Sequence, residues 1–142
     1  MALDFGKIKG KLSDYEKQEK ENEKRITNDF VAFIDANNAQ IERFIQEKFE
    51  EQAEEGHENF TITLFAKDNN IVIKFNHDNE CIITKTFDYV KEIKRNYLVK
   101  CLDEFAVYLG SLRLRVSSNY GVQSGRVTQD FDYYAFIDVT PK

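Results

Sequence analysis

The chain has 142 residues, 42% of them hydrophobic and 32% charged, with a net charge of −5. That is the size and composition of one globular domain, and no apolar run approaches the ~20 residues that a membrane span needs. The acid is unevenly placed: residues 1–57 hold 9 Lys and Arg against 14 Asp and Glu, and the remainder holds 11 of each. A general nucleic-acid partner is therefore disfavoured, since it calls for a basic footprint.

The N-terminal stretch has no secretory h-region. Cys81 and Cys101 form no CxxC and sit at no metal spacing, which reads as two free thiols in a reducing compartment. The expectation is a cytoplasmic protein with no membrane contact.

Residues 1–25 read as a lead-in followed by a solvated helical extension of a single α+β domain spanning 1–142. Residues 1–12 show no sustained period, Ser13 with Glu16 suggests a capping box, and Glu16 to Arg25 favours helix without any apolar residue. From Ile26 the apolar positions Phe30, Phe33, Ile34, Ile41, Phe44, Ile45 and Phe49 fall three and four apart, predicting an amphipathic helix that ends at Gly56. Run straight from Ser13, such a helix would be ~60 Å long, so either Asn37-Asn38 breaks it or it protrudes. Its polar face, with Glu42, Glu47, Glu50, Glu51, Glu54, Glu55 and Glu58 behind Asp29 and Asp35, is a candidate acidic surface interleaved with Arg43 and Lys48.

The period then switches to two. Phe60 to Ala66 and Ile71 to Phe75 predict a hairpin turning at Asp68-Asn69, with Ala66 opposite Ile71, Leu64 opposite Ile73 and Ile62 opposite Phe75. A third strand follows at about Glu80 to Thr86 after a turn through His77-Asp78-Asn79, with the inward residue open between Ile82 and Ile83. Asp88 to Leu109 predicts the more buried second helix, packed on the sheet and ended by Gly110. Leu112 to Thr140 predicts one long hairpin turning at Ser124-Gly125, with Val122 opposite Val127, Val116 opposite Tyr133, Leu114 opposite Ala135 and Leu112 opposite Ile137. On its other face Arg113 would lie across from Phe136 and Arg115 across from Tyr134, and the tip from about Ser117 to Asp132 would extend past the sheet. The predicted fold is an antiparallel sheet of about five strands in the order α-βββ-α-ββ.

Known catalytic and ligand motifs are missing from this pattern. There is no HExxH, no GxGxxG and no GxxxxGK[ST]; Asp68 is followed by Val72-Ile73-Lys74, with valine where a metal-dependent nuclease needs a carboxylate, and Glu92-Ile93-Lys94 falls in the second helix. Asp130, Asp132 and Asp138 read as solvent-facing residues of a β-arm. No catalytic residue, metal ligand or cofactor is expected, and the chain is read as a non-enzyme.

In element order the chain resembles the small acidic secretion chaperones of bacteria, which run α-βββ-α-ββ, pair through their second helix or sheet, and hold a partner polypeptide on their surface. The resemblance is one of topology, without the third helix that closes that fold and with a longer first helix. It implies a protein-binding module, adaptor or inhibitor, with another protein as partner. A homodimer is expected on separate grounds, because Phe65, Val72, Tyr134 and Phe136 are left on a second sheet face. An alternative is an inhibitor encoded by a phage or mobile element, whose acidic helix imitates nucleic acid in the channel of a host enzyme. A second alternative is a single-stranded nucleic-acid binder stacking bases on Arg113, Arg115, Tyr134 and Phe136. The candidate binding surface across these readings is Glu47, Glu50, Glu51, Glu54, Arg113, Arg115, Tyr120, Arg126, Tyr134 and Phe136.

Overall fold

The computed structural model describes residues 3–75, 80–117, 119–124 and 131–142. The elements run α1 (Phe5–Ala36), α2 (Asn38–Glu54), β1 (Phe60–Lys67), β2 (Asn70–Lys74), β3 (Ile82–Thr86), α3 (Arg95–Ser111), β4 (Leu114–Val116), β5 (Val122–Ser124) and β6 (Tyr133–Pro141). The fold is α+β, with three helices and a six-stranded sheet ordered β3-β2-β1-β6-β4, in which β5 pairs with the other half of the β4 side of β6. All five strand pairings among the described residues are antiparallel.

The first helix starts earlier than the capping box at Ser13 suggests. Asp4 accepts a hydrogen bond from the Lys7 amide at 2.9 Å and caps a helix of 32 residues. Its first turns are exposed, Tyr15 and Glu19 meet Lys94 at the start of α3, and its second half buries Ile26, Phe30 and Ile34. Helix geometry breaks at Asn37, where the Asn37 side chain donates back to the Phe33 carbonyl, and α2 resumes one residue later. Gly56, at φ 81°, closes the end of α2 in a conformation that costs a glycine little.

The β1–β2 hairpin has the predicted register, with Ala66 opposite Ile71 and Leu64 opposite Ile73, and Asp68 takes the positive φ of a tight turn. In β3 the question between Ile82 and Ile83 is resolved by pairing: Ile83 is buried opposite Ile73, and Ile82 lies opposite Lys74 on the other face. The predicted turn at His77-Asp78-Asn79 lies outside the described residues.

The helix predicted from Asp88 begins only at Arg95. The Ile93 amide is committed to the Asp68 carbonyl at 2.6 Å and the Val90 amide to Phe87, so residues 88–94 form turns that tie the β1–β2 corner to α3. Tyr89, in this segment, lies under the Arg25 guanidinium at 3.6 Å and donates to Asp29, which pins the segment to α1. Glu92-Ile93-Lys94 is therefore loop and first cap residue, not helix.

The C-terminal hairpin keeps its faces and changes its register. Val116 pairs with Val139 rather than Tyr133, and Ser124, expected in the turn, pairs with Tyr133 inside a strand. The displacement at Val116 is six residues, an even number, so Leu114, Ala135 and Ile137 stay in the core. Between Val116 and Val122 the chain uses six residues where β6 uses four, so two extra residues bulge out and divide one predicted strand into β4 and β5. Tyr120 and Val122 pack against the core and the Tyr120 hydroxyl donates to Asp103 of α3. Residues 119–124 thus belong to the body of the sheet, not to a projecting tip.

All this apolar packing forms one core, joining alternate residues of the strands to Ile26, Phe30, Phe44, Tyr97, Leu98 and Phe105 of the helices. The helices cover one side of the sheet. Among the described residues, no helix covers the other side, the open face.

Candidate functional site

The open face follows from strand alternation: residues between the buried positions of β1, β2 and β6 must point away from the helices. On it, Phe65 lies directly opposite Tyr134 and Val72, and Thr63 opposite Phe136 and Lys74. The rings form a continuous ladder. Phe65 stacks on Phe131 with centroids 5.3 Å apart, Phe131 meets Tyr134 edge-on at 5.1 Å, and Tyr134 meets Phe136 edge-on at 5.2 Å. Lys74 holds its ammonium 5.7 Å from the Phe65 centroid. Phe136 is 39% exposed although it sits mid-strand.

Beside Phe136 the bulge between β4 and β5 leaves a cleft of about 570 Å³, with Thr61, Asn119, Tyr120 and Asp138 in its wall. Asp138 accepts from the Thr61 hydroxyl and from the Asn119 amide, which fixes its carboxylate at the cleft's edge. Tyr134 donates to Gln123 of β5 at 2.8 Å, so the ring at the centre of the ladder is held at both ends. Hydrophobic rings, one cation and one fixed carboxylate make a surface suited to an extended or irregular polypeptide.

The structure brings together part of the sequence-predicted surface. Tyr134 and Phe136 share the open face, and Tyr120 lines the cleft beside it while its hydroxyl reaches across to Asp103 of α3. Arg115 lies opposite Thr140, six residues along β6 from Tyr134, or ~20 Å. Arg113, at φ 63° in the turn after α3, lines a separate groove of about 480 Å³ with Phe49, Leu114 and Pro141, on the helix side. The expected arginine-on-aromatic pairs are therefore absent from the described residues, because the register places each arginine elsewhere. Arg126 lies outside the described residues.

The acidic face of α2 is largely committed to its own neighbours. Glu47 lies 3.9 Å from Arg43, Glu50 accepts from Gln46 at 3.1 Å, and Glu51 pairs with the buried Lys48. Glu54 is exposed.

Sequence reasoning missed Phe131, Asn119, Thr61 and Asp138 as members of the site. By alternation Phe131 would share the buried face with Tyr133 and Ala135. It precedes β6, however, and the Asp132 amide bonds to the Ala66 carbonyl while its carboxylate accepts from the Asp68 amide, turning the chain over. Among the described residues, no group of three or more His, Cys, Asp and Glu side chains could hold a metal ion, and no helix is long and apolar enough to cross a membrane. Burial pushes the Cys101 thiol well above its ordinary 9.0, as expected for a core residue. Compared with known proteins, the chain matches no family model, and no curated protein or solved structure shows significant similarity to it.

Proposed function

We propose that the protein is a non-enzymatic binding module that seats a partner polypeptide on the open face of its sheet. The observation that carries this reading is the aromatic ladder of Phe65, Phe131, Tyr134 and Phe136, presented opposite the helix layer and bordered by the Asp138 cleft. Interface hot spots are rich in aromatic side chains, whose few rotatable bonds make them inexpensive to order. The acidic face of α2 supports an electrostatic mimic less well, because three of the four central carboxylates already have intrahelical partners.

The test compares the wild-type chain, as bait in its own host, with Tyr134→Ser/Phe136→Asp and with Glu47→Gln/Glu50→Gln/Glu54→Gln. A polypeptide partner that is retained by the second variant, lost by the first and indifferent to nuclease treatment supports the reading. Retention by the first variant refutes it. A second reading draws on the same ladder and Lys74, which together form the kind of platform on which bases stack. Micromolar binding of an oligothymidylate that weakens steeply with salt and is lost in Tyr134→Ser/Phe136→Asp would put that reading first.

A further inference from the structure

The cleft beside Phe136 is lined by uncharged residues with one exception, Asp138. The Thr61 hydroxyl donates to one oxygen of its carboxylate and the Asn119 amide to the other. Both donors are neutral, so the group is fixed in place while its charge stays unmatched. A carboxylate has about four acceptor sites, which leaves room on each oxygen for a further donor. The ion pairs among the described residues join Arg43 to Glu47, Lys48 to Glu51 and Lys94 to Glu19, and none includes Asp138. Arg115, exposed on β4 opposite Thr140 and one same-face step along the sheet from Asp138, makes no ion pair with it. Two rings share the wall with this anion. Phe136, 39% exposed, precedes Asp138 by one same-face step of β6, ~7 Å, and the Tyr120 ring is held by its hydrogen bond to Asp103.

We propose that the cleft receives an arginine side chain of the partner polypeptide, its guanidinium paired with Asp138 and lying against Phe136; this rests on the reading of the open face as the partner's seat. A guanidinium answers both features of the wall. Its planar fork of N–H donors meets the two carboxylate oxygens, and its face stacks on an aromatic ring. A lysine ammonium brings the charge without the fork or the flat face, and is more strongly hydrated. The cleft, at about 570 Å³, is roomy enough to admit the side chain from solvent. Spacing links it to the ladder. Same-side residues of an extended chain recur every ~7 Å, which is the step from Phe136 to Asp138, so a segment aligned with β6 sets an apolar residue on the rings and an arginine two positions away over Asp138. The net charge of −5 draws such a basic segment in.

Titration of the isotope-labelled full chain with acetyl-Leu-Ser-Arg-amide, followed by NMR, tests it. Saturable shifts are expected at the amides of Thr61, Asn119, Gly121 and Asp138 at millimolar peptide. The citrulline counterpart, which keeps the shape of arginine without its charge, is expected to bind about tenfold more weakly or worse, and Asp138→Asn to weaken the arginine peptide as much. The citrulline comparison uses the wild type, so it stands whether or not the variant folds. Equal binding of the arginine and citrulline peptides overturns the proposal, as does an arginine peptide indifferent to Asp138→Asn, a lysine counterpart that binds as well, or no shift at the cleft up to about 10 mM, a Kd too weak to matter. Capture from the host separates this failure from that of the open-face reading. A polypeptide lost with Tyr134→Ser/Phe136→Asp but undiminished with Asp138→Asn overturns the arginine site and leaves the face as the partner's seat; one retained with both variants overturns the two together.

Discussion

Replacing Tyr108 with phenylalanine should make the protein more stable. Tyr108 lies in the second half of α3, its ring tilted against Phe105 with centroids 6.2 Å apart, and its hydroxyl is buried with no hydrogen-bond partner among the described residues. An unmet buried hydroxyl costs ~1–3 kcal/mol, and removing it while keeping the ring leaves the packing intact. We expect a gain of about 1–2 kcal/mol, which for a chain of this length raises Tm by ~3–6 °C. The pH dependence provides an independent check. Burial, with help from the nearby Glu42 and Asp35 carboxylates, pushes the Tyr108 pKa from 10.0 up to about 12. The folded state therefore holds this proton more tightly than the unfolded state. Its contribution is fully present below pH 10 and lost as pH rises toward 12, so the advantage of Tyr108→Phe should widen across that window. Thermal melts of both proteins at pH 7.5 and pH 10.5, followed by circular dichroism, decide the matter. A Tyr108→Phe protein that melts at or below the wild type at pH 7.5 would refute the argument, because it would mean that the hydroxyl has a partner worth keeping.

At Asp68, where φ is 51°, Asp68→Val should cost ~1–2 kcal/mol in urea titrations while Asp68→Gly stays within about 0.5 kcal/mol, since only a β-branched residue resists the turn; equal losses would show that the side chain, not the backbone, matters. Stability should fall steadily above pH 9, because burial raises the Cys101 thiol above 9.0, and burial with the Asp29 hydrogen bond raises Tyr89 above 10.0. Both groups keep protons in the folded state that the unfolded state gives up, so a flat melting temperature between pH 8.5 and 10.5 would contradict their placement. Finally, Glu47→Gln/Glu50→Gln/Glu54→Gln should change partner affinity less than about threefold. Glu51 is left in place because the buried Lys48 depends on it. A loss beyond a hundredfold, ~2.7 kcal/mol, would favour the nucleic-acid mimic.

Local chemistry made much of this fold legible. Asp68-Asn69 fixed the β1–β2 register because a two-residue turn leaves one pairing that keeps Leu64, Ala66, Ile71 and Ile73 on one face. The break at Asn37 was one of two alternatives, and the competing hydrogen bond from its own side chain explains the outcome. The register of β6 was hidden, since a shift by an even number of residues leaves every face unchanged and the alternating pattern cannot detect it. With it went the arginine pairs of the expected stacking surface. Phe131 was lost for the same kind of reason, as a ring outside the strand whose period it seemed to continue.

The position of β6 also bears on how the molecule is made. It follows every other strand in the sequence, yet it lies between β1 on one side and β4 with β5 on the other. As the chain emerges from the ribosome, β1, β2 and β3 can form a meander early, but the free edge of β1 has no neighbour until residues 133–141 arrive some seventy positions later. Closing that gap brings together distant parts of the chain and sets a slow step. In the interval the Phe60 to Ala66 edge and the aromatic residues beside it are available to any other strand, which makes this the period of greatest exposure to misassociation during synthesis.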